Sequence, residues 1–105
     1  MRELLPEGWA VIDVIREGEV VGFFCTKGNE IHCWREASHA GRWLTRQDIE
    51  RLTRPLFEQY GHITTKVRAN NATGQRFVTR LGFVETRRDE HLIHYECKRL
   101  RHARL

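Results

Sequence analysis

The chain has 105 residues, three cysteines and a formal net charge of +4. A chain of this length folds as one domain around one hydrophobic core. It has no apolar run as long as a membrane span, and its first residues lack the apolar core of a signal peptide. We therefore expect a cytoplasmic protein without a membrane partner. Lys and Arg are interleaved with Glu and Asp, which argues against a dedicated nucleic-acid-binding protein.

The three cysteines lack the close paired spacing of a zinc site or of a secreted disulfide framework. We therefore expect Cys25, Cys33 and Cys97 to be reduced, apolar core residues. A redox pair of Cys25 and Cys33 is disfavoured in a reducing cytosol. His91, His94 and Cys97 also look like a ligand set, but on a strand His94 points to the opposite face from the other two. A metal site needs three or four converging ligands, so we predict none.

The first half of the chain predicts three antiparallel strands. Trp9–Ile15 and Val20–Thr26 are rich in β-branched and aromatic residues, and residues 16–19 between them form a turn. Residues 27–30 provide a second turn, after which Ile31–Arg35 returns as a third strand. This half is therefore predicted to be a β-meander.

A long helix follows a loop over residues 36–44. Thr45 with Asp48 three residues later is a weaker relative of the capping box, and Gly61 supplies the stop. Pro55 removes a helical hydrogen bond, so we expect a kink or a break near Arg54. The predicted buried face of the helix consists of Ile49, Leu52, Leu56, Phe57 and Tyr60.

The second half alternates strands with a short helix. His62–Ala69 is predicted to be a strand, and the helix after it is capped by Asn70 or Asn71 and stopped by Gly82. The last predicted elements are two hairpin strands, Phe83–Thr86 and His91–Leu100. The order βββ-α-β-α-ββ predicts an α/β domain, an α+β mixed sheet with at least one parallel pair and helices on its faces.

The segment NNATGQRFVTRLGF carries a resemblance to a known family. Its spacing resembles the final motif of the GNAT acyltransferase superfamily, and the element order resembles the GNAT core from its second strand onward. The resemblance implies a single GNAT-like domain over residues 1–105, without the family's N-terminal strand and two helices. Those missing elements build much of the acceptor site in the family. The matching residues are Asn71, Gly74, Phe77, Arg80, Leu81, Gly82 and Phe83.

The resemblance implies a phosphate-binding loop that this chain matches poorly. The family holds the pyrophosphate of acetyl-CoA with Arg/Gln-x-x-Gly-x-Gly/Ala at the start of its central helix. Residues 41–46 occupy that place here, with bulky Trp43 and Leu44 where small residues belong. In a shifted register over residues 35–40, Ser38 replaces the first glycine.

Three residues remain as candidate cofactor contacts. Arg42 and Arg46 flank the helix start and could hold a phosphate by charge, although both could equally be solvated. With Asn71 they form the cofactor-binding set that the resemblance implies. Val78 stands where many members place the Tyr that protonates the departing thiolate, and valine cannot donate a proton. We therefore expect weak or no acetyl-CoA binding and identify no catalytic residue.

These features leave two hypotheses for function. The first is a non-catalytic structural or interaction protein with a protein partner. It would be similar to the acetyltransferase-like proteins of short-tailed phages, in the host cytoplasm or the virion. The second is an acyl-CoA-dependent N-acyltransferase acting on an amine. The sequence specifies neither the acceptor nor the oligomeric state.

One structural feature separates the two hypotheses. A V-shaped gap between Ile31–Arg35 and His62–Ala69 would be open in an enzyme and filled by side chains in a protein that does not bind CoA. Trp34 and Trp43 either cover the top of the core or line this cleft. The basic tail Lys98–Leu105 could contact nucleic acid or an acidic partner, although basic chain ends are more often solvated.

Overall fold

The structure is a computed structural model that describes residues 8–35 and 45–100. The order of its elements confirms the predicted βββ-α-β-α-ββ. Predicted and observed element ends differ by a few residues at most, the largest difference being at the end of the last strand. The elements are β1 (Ala10–Arg16), β2 (Glu19–Lys27), β3 (Glu30–Arg35), α1 (Arg46–Tyr60), β4 (Ile63–Arg68), α2 (Ala72–Leu81), β5 (Val84–Arg88) and β6 (Leu92–Cys97).

The described strands form one mixed sheet of six strands in the order β1-β2-β3-β4-β6-β5. Neighbouring strands are antiparallel except β3 and β4, which are parallel. The sheet thus has two halves, the meander β1–β3 and the group β4–β6, which meet at the parallel pair. This confirms the predicted mixed sheet, since α1 is the crossover between two parallel strands.

The meander turns tightly after β1. Glu17 and Gly18 both have positive φ, at 51° and 80°, so the hairpin closes with two left-handed residues. This backbone matches the right-handed twist of the flanking strands, which favours two-residue turns of this kind.

Both helices pack on the same face of the sheet. Ile49 and Leu52 of α1 and Leu81 of α2 belong to one buried cluster, together with Ile63 and Val67 of β4. Because side chains alternate along a strand, the even-numbered residues of β4 point to the opposite face. That face carries half-buried and exposed polar residues and is not covered by a described helix: Glu30, His32, Thr64, Lys66, Arg68, His94 and Glu96.

Helix α1 begins and ends as predicted but does not break. Thr45 forms a full capping box with Asp48, and Gly61 closes the helix with φ 76°. The expected break near Arg54 is wrong, because α1 is one continuous helix through Pro55. Pro55 is on the exposed side, and the core residues before and after it keep both halves of the helix packed on the sheet.

Helix α2 depends on two glycines. Asn71 caps its start by accepting a hydrogen bond from Gly74 N at 2.9 Å, which settles the choice between Asn70 and Asn71. A Cβ added to Gly74 would lie 2.6 Å from Asn71 Nδ2 and 3.1 Å from Val67 Cγ1, so only glycine permits this approach. At the other end Gly82 has φ 111°, and Phe83 N donates to Val78 O at 3.0 Å.

The cysteines confirm part of the expectation. Cys25 and Cys97 are buried, and burial raises the pKa of both thiols, which keeps them protonated. The expected burial of Cys33 is wrong, because this residue is exposed on the last half of β3. The atoms packed around its thiol nevertheless desolvate it and raise its pKa to about 12. Cys25 pairs with His32 while Cys33 pairs with Phe24, so the two thiols point to opposite faces and do not form a redox pair.

No helix within residues 8–35 and 45–100 is both long and apolar enough to cross a bilayer.

The junction between α2 and β5 requires a residue with positive φ at Gly82. There the chain reverses within one residue, using a backbone conformation that branched side chains rarely adopt.

We predict that Gly82→Val lowers the free energy of unfolding by about 1 kcal/mol or more, since valine would be forced into positive φ. Gly82→Asn is the matched control and should cost less, because asparagine tolerates this region better. Chemical denaturation followed by circular dichroism measures both. An unchanged midpoint in Gly82→Val would remove the helix stop from the account of stability.

We predict that Pro55→Ala raises the free energy of unfolding, by up to about 3 kcal/mol. Alanine restores the N–H that the carbonyl of Arg51 lacks as a helical partner, and the exposed proline ring makes no core contact that would be lost. Arg54→Ala, one exposed residue earlier, controls for the loss of a surface side chain. A lower melting temperature for Pro55→Ala than for wild type would contradict this reasoning.

Candidate functional site

Strands β3 and β4 pair only where they begin. Among the described residues, Glu30 and Thr64 are their one register pair. Thr64 N donates to Asn29 O at 2.9 Å, and Thr65 Oγ1 donates to Ile31 O at 2.6 Å. Beyond this contact the strands diverge. We call the space between residues 33–35 of β3 and residues 66–68 of β4 the wedge.

The closed end of the wedge is held by side chains as well as by the backbone. Asn29 Nδ2 lies 3.0 Å from His62 Nε2 and 3.4 Å from His62 O. Glu96 Oε2 lies 4.0 Å from the same nitrogen, His62 Nε2. The turn before β3 is thereby tied to the start of β4, so the strands stay together at this end and separate at the other.

Main-chain groups line both sides of the wedge. Asn29 and Ile31 direct their carbonyl groups across to β4. Because every second residue of a strand directs its backbone groups to the same side, the N–H groups of Cys33 and Arg35 also point toward β4. Thr64 N points back to β3, so the N–H groups of Lys66 and Arg68, two and four residues further on, also point to β3. No hydrogen bond joins these facing groups within the described chain.

The side chains at the open end of the wedge are exposed. Cys33, Trp34 and Arg35 are all exposed, with 43% of Trp34 accessible, as are Lys66 and Arg68 across from them. Both expected roles of Trp34 stay predictions, and Trp43 lies outside the described residues. Within the described chain the V-shaped gap is therefore open.

Both helices begin at the wide end of the wedge. β4 leads through residues 69–71 into α2, and β3 leads through residues 36–44 into α1, which returns to the start of β4. Their N-termini therefore lie at the sheet edge where β3 and β4 end. A helix start carries unpaired N–H groups and the positive end of the helix dipole, so each can attract an anion.

The start of α1 already holds a carboxylate. Asp48 Oδ2 accepts hydrogen bonds from Thr45 N and Thr45 Oγ1, both at 2.9 Å. Arg16 of β1 donates to the same oxygen, and Arg51 Nη2 lies 3.3 Å from Oδ1. Only 12% of this side chain is exposed. The capping box was visible in the sequence, whereas Arg16 is 32 positions away and gave no signal.

The predicted cofactor contacts have partners inside the chain. Arg42 lies outside the described residues. Arg46 is the first residue of α1, and its Nε donates to Glu50 Oε1 at 3.0 Å. Asn71 Oδ1 is occupied by the α2 cap. Arg46 and Asn71 thus lie at the two helix starts beside the wedge, and their contact with a cofactor stays a prediction.

The remaining sequence candidates do not converge. Val78 packs against the core with its aliphatic side chain and offers no proton. Cys97 is buried among the core residues, while His94 is on the opposite face of β6. His91 precedes β6 and is exposed. No group of three His, Cys, Asp or Glu side chains in the described chain could hold a metal ion.

A polar cluster on the helix-free face was missed in the sequence. Glu30 Oε2 lies 2.7 Å from His32 Nε2, and Glu30 Oε1 lies 3.8 Å from Lys66 Nζ. The ring of Trp9 lies 5.2 Å from that of His32, tilted by 58°. The spacing of Glu30 and His32, two apart on a strand, could have placed them together, but Lys66 could not be placed without the fold.

The same helix-free face extends across the sheet to the imidazole of His94. His94 pairs with Lys66 in register, and its Nε2 is buried with no hydrogen-bond partner in the described chain. Asp89 Oδ2, the nearest carboxylate oxygen, is 3.8 Å away. The N–H groups of His91 and Leu92 lower the pKa of Asp89, so this carboxylate stays charged beside the imidazole.

Comparison with known proteins gives no sequence match: no protein-family model matches the chain, and no curated protein matches it. The wedge and the order of elements can therefore be compared only with solved structures.

Two acetyltransferase structures are similar to this chain. The PaiA N-acetyltransferase of Thermoplasma acidophilum, solved in complex with coenzyme A, is 14% identical with a TM-score of 0.71, over 87% of this chain and 61% of that one. The ribosomal-protein-S18-alanine N-acetyltransferase of Escherichia coli is 20% identical with a TM-score of 0.69, over 91% of this chain and 72% of that one. The chain thus spans about three fifths of the archaeal enzyme. It has the fold of the GNAT N-acetyltransferases.

Proposed function

We propose that this chain is a non-catalytic structural or interaction protein built on the GNAT fold, with a degenerate acetyl-CoA site. The observation that carries the proposal is the Asp48 carboxylate at the start of α1. By resemblance, this is where the family binds the pyrophosphate of the cofactor.

The charges around Asp48 do not fit a bound phosphate. A phosphate at this helix start would compete with the carboxylate for the N–H of Thr45 and for the guanidinium groups of Arg16 and Arg51. It would also lie beside a like charge in a largely buried place, where repulsion is poorly screened. The residues present therefore serve the fold rather than the cofactor.

Two further features support the same proposal. The Nε of Arg46, the nearest described candidate for a phosphate contact, is engaged by Glu50. Val78 provides no proton for a departing thiolate. We place the protein in the cytoplasm or, if phage-encoded, in the host cytoplasm or virion, with a protein as partner.

The second candidate is an acyl-CoA-dependent N-acyltransferase acting on an amine. The open wedge is the specific observation in its favour, because a gap between these strands is what an enzyme of this fold requires. The similar archaeal enzyme was solved in complex with coenzyme A. In this alternative, Arg42, Arg46 and Asn71 would hold the cofactor.

We predict no heat of binding when acetyl-CoA at about 1 mM is titrated into the wild-type protein, a concentration that half fills a site worth about −4 kcal/mol. Asp48→Asn should bind measurably better than wild type, since it removes the competing charge. Glu58→Gln is the matched control, since it removes an exposed carboxylate near the other end of α1 and leaves Asp48 and Arg46 unchanged.

Micromolar binding by the wild type, lost in Arg42→Ala or Arg46→Ala, would overturn the non-catalytic proposal. It would establish a working cofactor site in the loop before α1 and favour the acyltransferase.

A further inference from the structure

We infer that the wedge binds an extended peptide segment of a partner protein, with apolar and acidic residues in alternation. The inference rests on the proposed function, because it takes the wedge to be free of acetyl-CoA. It adds the class of partner and the surface that the partner uses.

The strand edges that line the wedge carry unpaired backbone groups. The N–H and C=O groups of Cys33 and Lys66 and the N–H groups of Arg35 and Arg68 face an open gap with no partner in the described chain. An open strand edge offers donors and acceptors at the spacing of another strand, which is how extended peptides add to sheets. A peptide backbone supplies both donors and acceptors at this spacing, whereas the sugar–phosphate backbone of DNA supplies acceptors only.

Each face of the sheet favours a different kind of side chain in the bound peptide. Cys33 pairs with the core residue Phe24, and Val67 is itself in the core, so both point to the helix side of the wedge. Trp34, Lys66 and Arg68 point to the opposite side. Alternate residues of an inserted strand would therefore meet an apolar side and a basic side with one exposed tryptophan.

Charge complementarity then favours an acidic partner. Arg35 and Arg68 are exposed at the open end of the wedge, and neither has a side-chain hydrogen bond or ion pair in the described chain. The Lys66 ammonium is 3.8 Å from Glu30 and 42% exposed, so it can also face a ligand carboxylate. Glutamates on the Trp34 side of the peptide would meet Lys66 and Arg68, and valines on the helix side would contact Cys33. Arg35 alternates with Cys33 and lies at the end of that helix side.

The experiment uses the full chain and the probe peptide acetyl-Glu-Val-Glu-Val-Glu-amide. Binding is followed by shifts of backbone amide signals in nuclear magnetic resonance spectra. We expect saturable binding with a Kd of about 1 mM or tighter, and the largest shifts at residues 33–35 and 66–68. A peptide with lysines for the glutamates and one with all internal amides methylated should not bind.

A pair of protein variants tests the site itself. Arg68→Glu should weaken the probe about tenfold or more, because a cation at the wedge becomes a like charge. Arg54→Glu makes the same change at an exposed position of α1 and should leave the affinity within about twofold. Circular dichroism melts of both variants show that each is folded, so a loss in Arg68→Glu is a loss at the site.

The outcomes separate this inference from the proposed function. Absence of probe binding, equal binding of the methylated or lysine peptide, or shifts away from the wedge would each overturn the inference, and the non-catalytic proposal would stand if acetyl-CoA also fails to bind. Micromolar acetyl-CoA binding that leaves the probe bound would overturn the non-catalytic proposal alone. Micromolar acetyl-CoA binding that displaces the probe would show that the wedge holds the cofactor, and would overturn both. Micromolar acetyl-CoA binding without any probe binding would overturn both.

Discussion

The sheet depends on a short parallel contact between its two halves. The meander β1–β3 and the group β4–β6 are each held by antiparallel ladders of their own. The described strands are joined only where Thr64 N donates to Asn29 O and the Thr65 hydroxyl donates to Ile31 O. Asn29 and His62 add side-chain contacts at the same place. Because this contact is at one end of the strands, the other end is free to diverge, and the wedge follows from it.

Helix α1 supplies the second tie between the halves. Its buried face packs on the sheet, and the Asp48 carboxylate at its start bonds to Arg16 of β1, far away in the chain. A helix start can use its donors for a ligand or for its own cap. Here the Thr45 and Asp48 cap uses donors of the helix start, and two arginines donate to the same Asp48 carboxylate. An interaction that stabilises the fold therefore occupies a helix start that could otherwise attract an anion.

Local chemistry explains which features could be read from the sequence. The caps at Thr45 and Asn71 and the stops at Gly61 and Gly82 involve residues within a few positions of each other, and each is confirmed. The break at Pro55 was wrong, because packing on both sides of the proline outweighs one lost hydrogen bond. Burial of Cys33 was wrong, because divergence of β3 from β4 is a long-range property that strand periodicity does not encode.

The same limit applies to the candidate site. Arg46 and Asn71 were found as helix-start residues, yet their actual partners, Glu50 and the cap at Gly74, decide what they can bind. The pairing of Arg16 with Asp48 and of Lys66 with Glu30 needed the fold, since each joins separate elements.

The wedge alone does not select a ligand. Its backbone edges present neutral donors and acceptors that suit any extended molecule with amide groups, whether a cofactor arm or a peptide. The choice between these ligands depends on the charged groups at the wide end of the wedge, because a bound molecule would carry its own charge there. A carboxylate held at the start of α1 disfavours phosphates there, while Arg35 and Arg68 on the strands favour carboxylates along the wedge. On the proposed function, these two features favour a peptide over a nucleotide cofactor, although both would contact the same backbone.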